Sequence, residues 1–181
     1  MANALSLSRL ACVPPFWFAM QRDDVTGALW CAVLLVVAIA TDLADGRVAR
    51  ARGTASPLGR ALDHGSDFLF VVTGLASAAA RGALPVALPV LVAVAFAQYV
   101  VDSLFVHGER QLRMSGLGRA NGILYFVPLV GDVLVRLGLP AAPLVVAIAW
   151  LLVMTTLASI ADRLLAIRRS RGSAGSSPRA G

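Results

Sequence analysis

The sequence predicts an all-α membrane protein, built as a polytopic bundle of about six transmembrane helices. Of its 181 residues, 58% are hydrophobic and only 14% are charged, and the mean hydropathy is +0.78. This composition is too apolar for a water-soluble domain. The apolar residues also fall into runs close to the roughly 20 residues that a helix needs to cross a bilayer. Short polar, glycine or proline segments separate the runs.

Six apolar runs are candidate spans. They cover residues 4–21, 25–46, 61–80, 83–106, 121–139 and 141–166. The first and the fifth are the weakest, because Pro14 and Pro15 interrupt the first, and Pro128, Asp132 and Arg136 interrupt the fifth. The first run lacks the basic region and small-residue cleavage site of a signal peptide, so we expect it to be a retained span.

The arginines indicate the orientation of the spans. With the amino terminus in the cytoplasm, thirteen of the 16 arginines fall on cytoplasmic segments, and only Arg22, Arg81 and Arg136 fall outside. Because cytoplasmic loops carry an excess of basic residues, we expect both termini to be cytoplasmic and the protein to lie in the inner (plasma) membrane. Residues 1–167 are predicted to form this domain, and residues 168–181 a disordered basic tail.

Four of the ten acidic residues lie between the second and third runs, in the segment TDLADGRVARARGTASPLGRALDHGSD. Asp42 and Asp45 are three residues apart at the end of one predicted helix. Asp63 and Asp67 are four residues apart at the start of the next, so each pair shares a helical face. Because the two helices are predicted to be antiparallel neighbours, we expect the pairs to converge.

Four carboxylates at the edge of the hydrocarbon need a compensating positive charge. Hard oxygen ligands suit Mg²⁺ or Mn²⁺, whereas the histidine and cysteine ligands that indicate zinc are absent, so the segment is expected to bind a bridged pair of metal ions. Gly46 and Gly59 allow close approach to the backbone, and the guanidinium of Arg50 can grip a diphosphate. The alternative is that these residues are helix caps and surface ion pairs.

The spacing resembles, position for position, the signature of the CDP-alcohol phosphatidyltransferase family, D-x2-D-G-x2-A-R-x8-G-x3-D-x3-D. Its fixed positions are filled by Asp42, Asp45, Gly46, Ala49, Arg50, Gly59, Asp63 and Asp67. The resemblance implies a membrane enzyme in which an alcohol hydroxyl attacks the phosphoryl group attached to the lipid and displaces CMP. CDP-diacylglycerol is the favoured donor, and a small alcohol is the acceptor.

The resemblance also implies roles for single residues. The predicted ligands of two Mg²⁺ or Mn²⁺ ions are Asp42, Asp45, Asp63 and Asp67. Asp67 is in addition the predicted general base. The residues predicted to contact the CDP moiety are Gly46, Ala49, Arg50 and Gly59. More weakly, Asn3, Ser6 and Arg9 are similar to an Asn-x2-Thr-x2-Arg segment near the family's nucleotide site, although an interfacial cap and anchor is the alternative for these three.

The acceptor pocket is expected in a cytoplasmic loop, residues 107–121. Arg110, Arg113 and Arg119 suit a phosphorylated acceptor such as glycerol 3-phosphate or inositol phosphate, but the same arginines are expected from orientation alone. Asp102, near the inner end of the fourth run, either orients an acceptor hydroxyl or arginine, or pairs structurally with Arg113 or Arg119.

Other features lie away from the motif. Asp132 and Arg136, four residues apart, are predicted to form a self-contained ion pair far from the chemistry, and we expect His64, between two motif aspartates, to be a bystander. Small residues on the third and fourth runs favour close helix packing and a homodimer. They are Gly74, Ala78, Ala93 and Ala97. The remaining partner is the lipid bilayer, and no nucleic acid is expected.

Three other interpretations stay open. The reverse reaction scheme, with a soluble CDP-alcohol donor and a diacylglycerol acceptor, leaves the same motif. A membrane cation transporter also uses intramembrane acids, although these are usually near the bilayer midplane. A non-catalytic family member acting as an interaction protein is the third, but every motif residue is present.

Overall fold

The computed structural model describes the backbone of residues 2–52, 57–105 and 116–174, and the side chains of residues 9–41, 64–101 and 120–165. In this part of the chain all regular secondary structure is helical, which confirms the all-α class. The helices are α1 (Ala2–Met20), α2 (Val25–Arg52), α3 (Pro57–Ala80), α4 (Ala87–Phe105), α5 (Gly116–Leu124), α6 (Phe126–Arg136) and α7 (Ala142–Ala174).

Prolines act differently in two of the predicted spans. Pro14 and Pro15 do not end α1, which continues through both. The fifth run, in contrast, is divided between α5 and α6 at Tyr125. Pro128 explains the break, because its ring nitrogen has no hydrogen to donate to the carbonyl of Leu124, and the ring crowds that carbonyl.

Helix α7 is longer than the span predicted for it. It continues to Ala174, so residues 168–174 extend the helix instead of beginning the predicted disordered tail. A long helix propagates easily through arginine-rich sequence, because arginine has a high helix propensity and nucleation has already occurred. Residues 175–181 lie outside the described residues, and the prediction of disorder for them is not tested.

The described helices differ in how well they suit a bilayer. Residues Ala142–Leu165 of α7 have a mean hydropathy of 2.4 and are long enough to cross a membrane. Val25–Thr41 and Ala87–Val101 are apolar but shorter. By length and hydropathy, the described residues therefore contain one clear span, and the arrangement of six spans stays a prediction.

Helix α1 has a central place in the packing. It lies against both α2 and α3, and over residues 9–41 and 64–101, whose side chains are described, α2 and α3 do not pack directly on each other. Helix α6 packs against α2, α3 and α7, and α4 packs against α3 and α7. Over this part of the chain the two motif helices pack through α1, and the convergence of their motif-bearing ends stays a prediction.

Part of the buried core lies where α1, α3 and α6 meet. The ring of Phe16 stacks on that of Phe70, with centroids 4.2 Å apart. Gly74 allows this approach, because a β carbon there would lie 2.7 Å from Phe16 Cε1 and 2.8 Å from Leu129 Cδ2. Gly74 and Ala78 are buried inside the chain. The small residues of α3 therefore serve internal packing and do not form the predicted homodimer face.

A charged cluster joins four helices at one end of the bundle. We call it the distal cluster, and it consists of Arg22, Asp23, Asp24, Arg81, Asp132 and Arg136. Arg81 and Asp132 are only 10% and 4% exposed, and Arg81 Nη2 lies 2.6 Å from Asp132 Oδ2. Arg136 is 3.9 Å from the same oxygen. The prediction of a self-contained Asp132–Arg136 pair was wrong, because Arg81 is the closer partner.

The distal cluster also satisfies backbone groups at the end of α1. Arg81 donates to the carbonyl of Met20, and Arg136 donates to the carbonyls of Ala19 and Arg22. The carbonyls of Ala19 and Met20 lie in the last turn of α1, where no following turn supplies the usual N–H donors, and Arg22 lies just after the helix. The two arginines therefore hold the carboxyl-terminal end of α1 in place.

Asp24 caps the amino-terminal end of α2. Its Oδ1 accepts a hydrogen bond of 2.8 Å from the backbone N–H of Gly27, which is the usual bond of an aspartate at this position. Its other oxygen accepts a bond of 2.7 Å from Arg22. The bond from Arg22, followed by the bond from Gly27, lowers the pKa of Asp24 from its usual 3.8 to about 2.

Candidate functional site

The eight motif positions lie on two helices. Residues 42–50 form the last turns of α2, which ends at Arg52, and residues 59–67 form the first turns of α3, which begins at Pro57. Both helices extend beyond the predicted spans. Proline suits the first position of a helix, because its missing N–H is unpaired there in any case. The side chains of seven motif residues lie outside the described part: Asp42, Asp45, Gly46, Ala49, Arg50, Gly59 and Asp63.

Asp67 is the motif residue whose side chain the structure describes. Its carboxylate is 27% exposed and accepts a hydrogen bond from Nη1 of Arg9, on α1. Arg9 is 1% exposed, and the same Nη1 lies 3.4 Å from the hydroxyl oxygen of Ser66. The site thus contains an ion pair between a deeply buried guanidinium and a carboxylate that is partly open to its surroundings.

Burial of the Arg9 guanidinium explains why it pairs with Asp67. A buried guanidinium without a partner costs several kcal/mol, and a carboxylate at hydrogen-bond distance offsets much of this cost. The sequence linked Arg9 weakly to the nucleotide and did not link it to Asp67. Because the two residues are 58 positions apart, helical spacing contained no signal for their contact.

The Asp67 carboxylate is a ligand of the kind that hard divalent cations bind. Carboxylate oxygens are the ligands that Mg²⁺ and Mn²⁺ prefer, and Asp67 is both partly open and negatively charged. Among the described side chains, no three His, Cys, Asp or Glu residues lie together. The convergence of Asp67 with the other three motif aspartates, whose side chains are not described, therefore stays a prediction.

Helices α4 and α7 bring further residues next to the motif. The ring of Tyr99, on α4, lies 6.2 Å from that of His64, and the guanidinium carbon of Arg163, on α7, lies 5.8 Å from the centre of the Tyr99 ring. For Arg163 the positive-inside pattern predicted only a role in orientation, and His64 was predicted to be a bystander. Their contact through Tyr99 joins three helices beside the first turns of α3.

The segment predicted to hold the acceptor is only partly described. Residues 106–115, which include Arg110 and Arg113, lie outside the described residues, as do the side chains of Asp102 and Arg119. Arg119 is on helix α5 and not in a loop. At the end of the segment Asn121 is buried, and its side-chain oxygen accepts a hydrogen bond of 3.1 Å from Thr155.

Comparison with known proteins decides the family. The sequence profile of the CDP-alcohol phosphatidyltransferases matches residues 1–167. The chain belongs to this family. The family predicted from the motif is therefore confirmed, and the match includes α1 with Arg9 as well as the motif helices.

The curated relatives of the chain are named for different activities. The chain is 32% identical over 135 residues to "Cardiolipin synthase (CMP-forming)" of Streptomyces coelicolor, and the aligned residues cover 71% of this chain and 63% of the relative. It is 38% identical over 71 residues to "Putative cardiolipin synthase" of Mycobacterium tuberculosis, 39% of this chain and 33% of the relative. It is 36% identical over 88 residues to "Cholinephosphotransferase 1" of Xenopus laevis, 47% of this chain and 21% of the relative.

The matched region covers less than two thirds of the length of each of these relatives. No solved structure matches the chain.

Proposed function

We propose that the protein is an integral membrane phosphotransferase of phospholipid biosynthesis. It transfers a phosphatidyl group from CDP-diacylglycerol to an alcohol acceptor and releases CMP. The observation that carries this proposal is the complete family signature on the adjoining ends of α2 and α3, inside the region that matches the family. The partly open Asp67 carboxylate at this position supports it.

The proposed reaction is a substitution at the phosphorus attached to diacylglycerol. The acceptor hydroxyl oxygen forms a bond to this phosphorus, the bond from the phosphorus to the CMP oxygen breaks, and Asp67 takes the hydroxyl proton. The residues that contact the CDP moiety are Gly46, Ala49, Arg50 and Gly59. Such a displacement depends mainly on positioning and on neutralising charge, and both roles suit this set of residues.

Members of the family generally depend on divalent metal ions. Here the proposed ligands of two Mg²⁺ or Mn²⁺ ions are Asp42, Asp45, Asp63 and Asp67. When bound, the ions would neutralise the charge of the diphosphate. The protein side chains then have to hold the nucleotide, orient the acceptor and accept its proton.

We propose a multi-pass arrangement of residues 1–167 in the inner membrane, with the site on the cytoplasmic side. The three arginines predicted to lie outside, Arg22, Arg81 and Arg136, belong to the distal cluster. Asp67 and Arg81 are both on or next to α3 and are about 21 Å apart along the helix axis. Large apolar side chains that are exposed, such as Phe18 at 64%, suit contact with lipid acyl chains.

A homodimer is a further proposal, and it uses a smaller surface than the sequence suggested. Because Gly74 and Ala78 are buried, the face that is left consists of Ala93 and Ala97 on α4, of which Ala97 is exposed. Small residues allow close approach of helices within a membrane. Cross-linking through cysteine introduced at Ala97 tests this arrangement.

The names of the relatives guide the choice of substrates. The name of the Streptomyces relative makes cardiolipin the first product to look for, with phosphatidylglycerol as the acceptor. The name of the Xenopus relative favours the second candidate, in which a soluble CDP-alcohol gives its phosphoalcohol group to diacylglycerol. CMP is released in both schemes, so the lipid product distinguishes them.

The test is the release of CMP by the purified full chain with Mg²⁺ or Mn²⁺. CDP-diacylglycerol is supplied with phosphatidylglycerol, glycerol 3-phosphate or inositol phosphate, and CDP-choline is supplied with diacylglycerol. We expect metal-dependent release with one of these pairs, and a loss of about 100-fold or more in Asp67→Asn. Asp23→Asn is the matched control, because Asp23 is 78% exposed in the distal cluster. No release with any pair would contradict the proposal.

A further inference from the structure

Arg9 reaches the motif from a different helix, and the packing of that helix holds it there. Its guanidinium is 1% exposed and donates to Asp67. Two turns further along α1, Phe16 stacks on Phe70 of α3. Ser66 and Asp67 are on the turn of α3 just before Phe70. The contact between Arg9 and Asp67 therefore belongs to a packed seam between two helices and not to a mobile surface.

We infer that Arg9 is a positioning residue that orients the Asp67 carboxylate and weakens its hold on a divalent cation. The inference rests on the proposed function of Asp67 as metal ligand and base. A guanidinium hydrogen-bonded to a carboxylate fixes the direction of that carboxylate. The same positive charge repels a second cation, and the repulsion is strong where water is largely excluded.

Orientation of Asp67 and repulsion of the cation have opposite consequences when Arg9 is substituted. Loss of the charge at position 9 removes the repulsion, so a divalent cation binds more tightly. It also leaves the carboxylate less well oriented toward the acceptor hydroxyl, so the reaction slows. A residue that only stabilised the fold would, when substituted, weaken both metal binding and turnover.

The experiment measures Mn²⁺ binding and CMP release separately on the purified full chain. The loss of the electron paramagnetic resonance signal of aqueous Mn²⁺ gives the Kd without any turnover. In Arg9→Gln we expect Kd to fall by about fivefold or more, within the usual range for coupled sites. We expect kcat to fall by about tenfold or more, with a smaller change in KM for the donor.

Two variants serve as controls. Arg9→Lys keeps the charge, so we expect its Kd to stay within about threefold of the wild-type value and its kcat to lie between those of wild type and Arg9→Gln. Arg22→Gln removes an arginine that is 59% exposed and paired with Asp24 in the distal cluster. We expect it to change neither quantity.

The outcomes separate this inference from the proposed function. A wild-type protein that neither binds Mn²⁺ nor releases CMP would contradict both. A wild-type protein that does both, with weaker or unchanged Mn²⁺ binding in Arg9→Gln, would overturn only the role of Arg9. If Arg9→Gln does not fold, Arg9→Lys still decides, because a large change in Kd despite the retained charge would refute the inference.

Discussion

Substitution of Asp132 by asparagine should destabilise the protein strongly. Asp132 is 4% exposed and lies 2.6 Å from Arg81, which is itself 10% exposed. Arg136, 8% exposed, approaches the same oxygen at 3.9 Å. Removing one partner of a buried ion pair costs about 3–5 kcal/mol, because it leaves the other charge buried and uncompensated. Asp132→Asn leaves Arg136 with only backbone carbonyl acceptors and leaves Arg81 with the exposed Asp23 as its carboxylate partner.

Asp23 provides a matched comparison, because it contacts the same arginine from the surface. Its Oδ1 is 3.0 Å from Nε of Arg81, but Asp23 is 78% exposed. An exposed pair of this kind contributes about 0–1 kcal/mol. For chains of this length, each kcal/mol lowers Tm by about 2–4 °C. Asp132→Asn should therefore lower Tm by at least about 6 °C, and Asp23→Asn by no more than about 4 °C.

The measurement is thermal unfolding of the purified variants in one detergent. Circular dichroism follows the loss of helix. The reaction of Cys31 with a fluorescent thiol reagent follows the opening of the bundle, because Cys31 is buried and its sulfur lies 3.5 Å from Arg136. Equal Tm values for Asp132→Asn and Asp23→Asn would refute the reasoning that burial decides the contribution of each carboxylate.

Two further predictions concern packing and pH. Gly74→Ala should lower the free energy of unfolding by about 1–3 kcal/mol, because its new methyl group would lie 2.7 Å from Phe16. Thermal unfolding measures this loss of stability, and an unchanged Tm would contradict the prediction. Asp24→Asn keeps an acceptor for the Gly27 N–H but has no charge to pair with Arg22. Because folding lowers the pKa of Asp24 from 3.8 to about 2, the wild-type protein should be more stable than Asp24→Asn above about pH 4, and this advantage should be lost as the pH falls through about 2. If the wild-type protein were still more stable than Asp24→Asn below about pH 2, the lowered pKa of Asp24 would not be the cause of the difference.

The sequence predicted helices well where one physical signal dominated. Runs of apolar residues defined the helical segments, because hydrophobic length is a local property. Prolines were harder to interpret, since the same residue type interrupts the helix at Pro128 and not at Pro14 or Pro15. Tertiary packing of α1 against α2 and α3 compensates for the lost hydrogen bonds, and such compensation cannot be read from local sequence.

The candidate site was predictable in part for a similar reason. The spacing of the motif gave the residue types and their helices, because i, i+3 and i, i+4 relations are fixed by helical geometry. The partners across the bundle were not predictable. Arg9 pairs with Asp67 over 58 positions, and Arg81 pairs with Asp132 over 51 positions. For Asp132 the i, i+4 rule predicted Arg136 as the partner instead.

The two prolines of α1 give this helix an uneven stiffness. Pro14 and Pro15 cannot donate to the carbonyls of the preceding turn, so two successive hydrogen bonds are missing in the middle of the helix. On one side of this point, Met20 is held by Arg81. On the other side lies Arg9, in contact with Asp67. Helix α1 is thus held on both sides of its least stiff point, so a movement of α3 relative to the distal cluster would be absorbed by bending at the two prolines and not by breaking either contact.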